Sequence, residues 1–371
     1  MSNSVSWAPV IRHYVPGGAE NGGGIGRLVG YVLSSPDASL RHVIVDTRGP
    51  AWRPLRSVLR LLRAMSVMAG DAVIGQTGLH HMHIAGRGST TRKLLLGGWA
   101  RLLGQPYILH LHDYAYAEDL ARRPAWQLQA IRSLFAGAEQ VLVLGQRDYR
   151  TVKYALRVPE SRITILRNCV PDPGPRPPVA GRSMVGILFL GRLGPRKGIP
   201  ELLTALADPA LLRGSWQATL AGDGAVGQYR HDISRLGLGG QVRLTGWVDA
   251  ERAAQLRQEA DILVLPSHAE GFAMAVLEGL ASGLAVVTTR VGAHGEVLVD
   301  GENCLLVPPG DSRALATALD RLIRDPALRS RLAAAGRQLY LSLFEMHDYL
   351  RSLERIQSAH LRGEAIAPSS A

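Results

Sequence analysis

The chain has 371 residues, about twice the length of a typical single domain, so two packed domains of roughly 150 to 200 residues are expected. Hydrophobic residues make up 46% and charged residues 20%, a globular composition that excludes a fibrous or disordered chain, and the two cysteines, Cys169 and Cys304, exclude a disulfide framework and favour a reducing compartment. The net charge of +11 is uneven: residues 1–180 hold 22 Lys and Arg against 11 Asp and Glu, residues 181–371 hold 20 of each, and so the first half is expected to meet something anionic.

The start of the chain lacks the basic and apolar regions of a secretory signal, and no apolar run approaches the roughly 20 residues of a spanning helix, so a cytoplasmic protein is expected. Short apolar runs predict strands over 41–46, 71–75, 107–112 and 140–144 in the first half. In the second half they fall over 186–190, 216–220, 242–244, 262–265 and 285–288. Near-continuous apolar strands alternating with helical periodicity imply parallel sheets covered on both faces. The run Pro171-Asp-Pro-Gly-Pro-Arg-Pro-Pro178 continues neither a helix nor a central strand and reads as a linker. The expected fold class is therefore α/β, with two doubly wound, Rossmann-like parallel-sheet domains facing a cleft. Residues 1–175 form the first, completed by a C-terminal helix over 345–362, and residues 176–344 the second; the tail after Arg362 is expected to fray.

Between Trp52 and Arg63 the spacing predicts an amphipathic helix. At about 100° per residue Arg53, Arg56, Arg60 and Arg63 share one face, and Leu55, Val58, Leu59 and Leu62 lie opposite. Such a helix suits an anionic membrane surface, and equally a sheet-covering helix with a solvated arginine face.

Glycines over Gly17–Arg27, ahead of a helical run from Leu28, would let backbone N–H groups approach a phosphate. A dinucleotide fingerprint fails on spacing, because Arg27 or Val29 stands where the third glycine belongs, despite Asp46 further on. The segment Leu190-Gly-Arg-Leu-Gly-Pro-Arg-Lys-Gly198 joins a strand to a helix. Its Lys197 is one of only three lysines beside 39 arginines, a compact ammonium suited to phosphate oxygens. In the segment 263–278 a strand ends at Pro266, Glu270 occupies the loop, and a helix is expected from Gly271 or Phe272. Its amides would point beyond the strand ends, and Glu278 would face the same space, placed to accept from a ribose diol. His80, His81 and His83 invite a metal reading, but alternation puts His81 and His83 on one face and His80 on the other, with no Cys or carboxylate near in sequence, so no metal is expected. The chain has no Asp-x-Asp pair to clamp a metal diphosphate.

From Gly17 to Pro308 the chain resembles the retaining GT-B glycosyltransferases of family 4. The likeness rests on Gly24-Ile-Gly-Arg27, His110-Leu-His112, Ile163 to Val170, Gly191-Arg192 with Lys197-Gly198, Ala221-Gly-Asp-Gly224, Thr245-Gly-Trp-Val248, Glu270 with Glu278, and Asp300 to Pro308. The resemblance implies hexose transfer with retention from a nucleotide diphosphate sugar, GDP-mannose or a UDP-hexose. The acceptor it implies is a polyprenyl-diphosphate-linked saccharide or glycolipid of surface-polysaccharide assembly at the inner face of the cell membrane. It gives Arg192 and Lys197 the donor diphosphate, Glu270 and His112 the donor sugar, and Glu278 the ribose. Gly24, Gly222, Gly271, Phe272 and Ala273 surround the donor, and Trp247 and Val248 edge the base pocket. Gly23, Arg27, Asp113 and Asn168 fall on the acceptor side, where Asp113-Tyr114, Cys169 and Gly145 depart from the family pattern. With no metal clamp, leaving-group charge is met by Arg192, Lys197 and helix-terminal amides. Competing classes are a GT-B sugar-nucleotide epimerase and a basic membrane- or nucleic-acid-binding module; no zinc-finger spacing or aromatic-basic RNA signature supports nucleic acid.

Overall fold

The structure, a computed structural model, describes residues 9–74, 78–176, 184–211 and 216–362. It divides into two compact units, one of residues 1–168 with 346–371 and the other of residues 169–345. Each is built on a six-stranded, wholly parallel sheet.

In the first unit the strands are β1 (Val10–Val15), β2 (Arg41–Asp46), β3 (Gly78–Ile84), β4 (Tyr107–Leu111), β5 (Val141–Val143) and β6 (Ile163–Ile165), in the order β2-β1-β3-β4-β5-β6. Strand order reverses beside β1, so the loops after β1 and β3 open a crevice at the carboxyl ends of the strands. Tyr14, Met82, Leu96, Leu109, Leu134, Phe135 and Val141 belong to one buried cluster; burying each such side chain contributes about 1.5–3 kcal/mol. The helix Met346–Arg362 completes this unit: Glu354 accepts from the backbone N–H of Ser39 (2.9 Å) and Leu40 (3.0 Å).

The second unit holds β7 (Val185–Leu190), β8 (Trp216–Ala221), β9 (Val242–Gly246), β10 (Ile262–Leu265), β11 (Ala285–Thr289) and β12 (Leu305–Val307), in the order β12-β11-β10-β7-β8-β9. Here the reversal falls beside β7, between the loops that follow β7 and β10. Those loops carry the candidate residues.

Three local expectations are corrected. The run 71–75 is not a strand; residues 71–74 end the helix Pro54–Ile74, where Asp71 continues the buried stripe of Ser57, Ala64 and Met68 and pairs with Arg12 of β1. Residue 75 and the end of the proline run, residues 177–178, lie outside the described residues, as does the tail after Arg362. The helix expected from Leu28 starts five residues earlier, at Gly23; β1 went unforeseen because Arg12 and His13 interrupt its apolar run, and β3, β6 and β12 were not among the expected strands either.

The third concerns the helix Pro54–Ile74. It covers the sheet with Ser57, Ala64 and Met68, not with the leucine face: Leu55 is 83%, Leu59 64% and Leu62 52% exposed, beside exposed Trp52 and Val58. Arg53, Arg56, Arg60 and Arg63 are exposed as well, with Arg60 3.8 Å from Asp46. An apolar strip and a basic strip therefore both face outward, and no described helix is long and apolar enough to cross a membrane.

Candidate active site

In the second unit the functional groups gather where the sheet order reverses. After β7 the chain turns through Gly191 and exposed Arg192 to a 3-10 turn, Pro195–Lys197, capped by Gly198 in the left-handed region (φ +72°). A side chain at Gly198 would meet the Pro266 carbonyl at 2.0 Å, so the loops after β7 and β10 touch backbone to backbone only because this residue is glycine. A Cβ at Gly222, after β8, would likewise come within 1.8 Å of the Gly191 carbonyl.

This contact sets Lys197 against Glu270. The Lys197 Nζ lies 2.5 Å from Glu270 Oε1, and an Arg196 guanidinium nitrogen lies 3.4 Å from the same oxygen while donating to the Ala269 carbonyl at 2.8 Å. Burial alone would raise the Glu270 pKa. The charge and hydrogen bond of Lys197, then the charge of Arg196, outweigh it, and the carboxyl is held below its usual range as an ion. The family resemblance paired Lys197 with Arg192; the structure adds Arg196 as the second cation on Glu270.

The helix expected from Gly271 or Phe272 begins at Met274, after Ala273 in extended conformation. The loop Glu270–Ala273 is pinned by the neighbouring connection instead: Ala273 N–H donates to His294 Nε2 (3.2 Å), Ala293 N–H donates to the Gly271 carbonyl (2.9 Å), and the Phe272 ring packs edge-on to the His294 ring. Burial keeps His294 neutral, so Nε2 can accept. No sequence signal had marked His294, because its role depends on the Thr289 carbonyl, 3.2 Å from Nδ1. Glu278 is buried on the helix Met274–Ala281 and lies 3.3 Å from Arg257, a cation that the spacing argument did not include. Val248 is half-buried and Trp247 72% exposed in the connection after β9.

The first unit holds the remaining candidates. Gly23 and Gly24 are exposed in the first turn of the helix Gly23–Ser34, and Arg27 follows one turn later. Asp46, at the end of β2, accepts from the N–H groups of Gly17 (2.8 Å), Arg48 (2.9 Å) and Gly49 (2.9 Å), so it holds the glycine-rich turn. Half-buried His112 and buried Asp113 follow β4, and Asn168 is buried at the end of the unit.

His112 is also the outer end of a buried array. Strand alternation and parallel pairing put His13, His42, His81, His83, His110 and His112, from four adjacent strands, on one face of the sheet. Four are joined in series through opposite ring nitrogens: His112 Nε2 to His83 Nδ1 (3.0 Å), His83 Nε2 to His13 Nδ1 (3.1 Å) and His13 Nε2 to His42 Nδ1 (2.9 Å). His42 Nε2 then reaches Glu354 (3.2 Å). Using opposite nitrogens lets His83, His13 and His42 each donate once and accept once, with His112 donating at one end and the carboxylate as terminal acceptor at the other. His80 faces the other way, toward Tyr14 and Gln105. Lys93 is also buried; desolvation lowers its pKa to about 7, and it donates to Thr47 Oγ1 at 3.5 Å.

Residues 185–339, within the second unit, match the family of glycosyl transferases group 1. A phosphatidyl-myo-inositol mannosyltransferase of Mycobacterium leprae is 32% identical over 252 residues, covering 67% of this chain and 59% of that protein. A glycogen synthase of Mycobacterium tuberculosis is 28% identical over 281 residues, 71% of this chain and 66% of that one. The chain thus spans about half to two thirds of the length of the curated relatives it matches. In fold it is similar to the sucrose-phosphate synthase of Thermosynechococcus elongatus (TM-score 0.76, 20% identity, 96% of this chain and 100% of that one). It is also similar to Anabaena HepE solved with UDP (TM-score 0.72, 18% identity, 95% and 100%). The fold is GT-B.

Proposed function

Because residues 185–339 form a glycosyl transferases group 1 domain, we propose that the protein transfers a hexose, with retention, from GDP-mannose or a UDP-hexose to a lipid-linked saccharide or glycolipid in surface-polysaccharide biosynthesis. The observation that carries this reading is the Lys197–Glu270 pair at the sheet reversal, closed in by Gly198 and Gly222. An ammonium beside a buried carboxylate suits a sugar diphosphate: Lys197, with Arg192, neutralises the phosphates, while Glu270 accepts from the sugar hydroxyls. No metal is needed for the leaving group.

Lys197 and Arg196 already hold Glu270 Oε1, which favours a carboxylate that positions the sugar over one that attacks it. The acceptor hydroxyl then adds to the anomeric carbon from the face that the diphosphate leaves. The glycosidic carbon–oxygen bond to phosphate breaks, and the hydroxyl proton passes to the departing phosphate oxygen. Glu278 takes the ribose and Val248 the edge of the base, while Gly24 closes on the phosphates and His112 on the sugar. Gly23, Arg27, Asp113 and Asn168 meet the acceptor.

For the acceptor, the excess charge of the first half and the outward strip of Trp52, Leu55, Leu59 and Leu62 beside four arginines support peripheral docking on an anionic inner-membrane surface. The relative that acts on phosphatidyl-myo-inositol is in keeping with a lipid acceptor. NMR of the glycosylated product tests the stereochemistry: the donor's anomeric configuration is expected to persist, and an inverted product refutes it.

A further inference from the structure

The histidine array does more than the transfer reaction asks of it. Two sets of three, His13 with His81 and His83, and His83 with His110 and His112, each bring one ring nitrogen per residue within 4.8 Å of one another. The sequence argued against a metal because alternation puts only His81 and His83 on one face, with no Cys or carboxylate near in sequence. The parallel sheet supplies the missing ligands by pairing His83 with His110 on the adjacent strand.

We infer that His83, His110 and His112 form a site for one divalent first-row cation of the zinc type. Imidazole is a preferred ligand of such ions. Three histidines with an open fourth position are a familiar zinc set.

Three observations favour this outer triad. His83 Nδ1 and His112 Nε2 face each other at 3.0 Å, and ligands about 2.0–2.1 Å from a tetrahedral ion stand roughly 3.4 Å apart, so an ion replaces the shared proton with a small separation of the rings. His110 is fully buried and, among the described residues, neither ring nitrogen has a hydrogen-bond partner, a costly state that ligation relieves at one of them. Third, His83 is backed on its far side by His13, His42 and the Glu354 carboxylate, the kind of outer shell that orients a ligating imidazole and offsets the ion's charge. Half-buried His112 gives the ion a route from solvent, which the deeper triad of His13, His81 and His83 lacks. The ion takes no part in neutralising the donor diphosphate, and its presence is read without turnover.

The full chain, stripped with a chelator and checked for fold by circular dichroism, is titrated with zinc chloride against a chromophoric competitor. One zinc per chain is expected, with Kd below about 1 μM. The His110→Phe chain is expected to bind about 100-fold more weakly and the His81→Phe chain within about 3-fold of the parent. Absence of stoichiometric zinc in the folded parent overturns the inference. So does undiminished binding by His110→Phe, which marks an adventitious surface site, or a loss confined to His81→Phe, which moves the ion to the deeper triad. Should His110→Phe not fold, X-ray absorption of the zinc-loaded parent decides instead: three imidazoles per zinc support the site, and one or none overturns it.

Discussion

The Lys197 ammonium lies 2.5 Å from Glu270 Oε1, in a place reached only because Gly198 lets the loops after β7 and β10 meet. The pair is asymmetric: Glu270 is buried and held by two cations, whereas Lys197 has one carboxylate and can be shared with a phosphate. Replacing Lys197 by Ala removes a charge from the donor site and leaves Arg196 as the cation on Glu270. A loss of about 2–4 kcal/mol in transition-state stabilisation is expected, or about 10²–10³ in kcat/KM. Initial rates with donor in excess and limiting check it; near-parental kcat/KM disproves the assignment.

Glu278 and Arg257 give a second test. If Glu278 binds the ribose, Glu278→Gln raises donor KM with little change in kcat, since that contact is equal in ground and transition states. Arg257→Gln breaks the same 3.3 Å pair from the other side and is expected to leave donor KM within a few-fold. Equal KM effects in both variants mean that the pair is structural and the ribose lies elsewhere.

The array of neutral histidines predicts acid sensitivity. Burial holds His112 down at about 3 and His13, His81, His83 and His110 well below 6.5, and it lowers His42 despite Glu354. Below pH 6.5 the unfolded chain therefore binds protons that the folded chain refuses. Stability falls as pH drops from 6.5 toward 3, by up to about 1.4 kcal/mol per pH unit for each histidine. Urea midpoints of the metal-free chain at pH 7.5, 6.0 and 5.0 measure it, and a flat profile contradicts the burial of these rings.

Lys93 follows the same principle at higher pH. With its folded pKa near 7, it destabilises the fold increasingly as pH drops from 10.5 to 7, where the folded state also takes the proton. Lys93→Met, similar in length and uncharged, is expected to raise the melting temperature at pH 7, with a smaller gain at pH 9. A lower melting temperature at both values assigns Lys93 an interaction beyond its long contact with Thr47.

Replacing Arg53, Arg56, Arg60 and Arg63 together by Gln is expected to abolish flotation with anionic liposomes at low salt, while Leu55→Ser with Leu59→Ser weakens it at both low and high salt. Unchanged flotation in both variants removes the helix Pro54–Ile74 from membrane contact.

What was legible in the sequence follows from the range of the interactions. Eight of the twelve described strands announce themselves locally, as at Ile262–Leu265, whereas β1, β3, β6 and β12 fall outside the expected runs, and the glycines beside Lys197 mark a turn against a neighbouring strand. The run 71–75 misled because a short apolar stretch suits a strand or a helix end, and the Arg12–Asp71 pair that decides between them spans 59 positions. The leucine strip of residues 55–62 is amphipathic in either reading; only the packing of Ser57, Ala64 and Met68 shows that it faces outward. Arg196 stood next to Lys197 in plain sight, but its bond to Ala269 needed the β7 and β10 loops side by side. Of the histidine array the sequence singled out His81 with His83 and, separately, His110 with His112, but not their meeting, since strand pairing joins them and His13, His42 and Glu354 reach them through neighbouring strands and a helix from the end of the chain.

The most direct measurement is incubation of the purified chain with radiolabelled GDP-mannose and UDP-hexoses in the presence of a bacterial membrane-lipid extract, followed by separation of nucleotides and lipids. Release of nucleoside diphosphate in step with label entering the lipid fraction, from one of these donors and lost in Lys197→Ala, is the predicted result. Interconversion of the sugar nucleotide without release of nucleoside diphosphate, or binding of donors with no turnover of any, contradicts it.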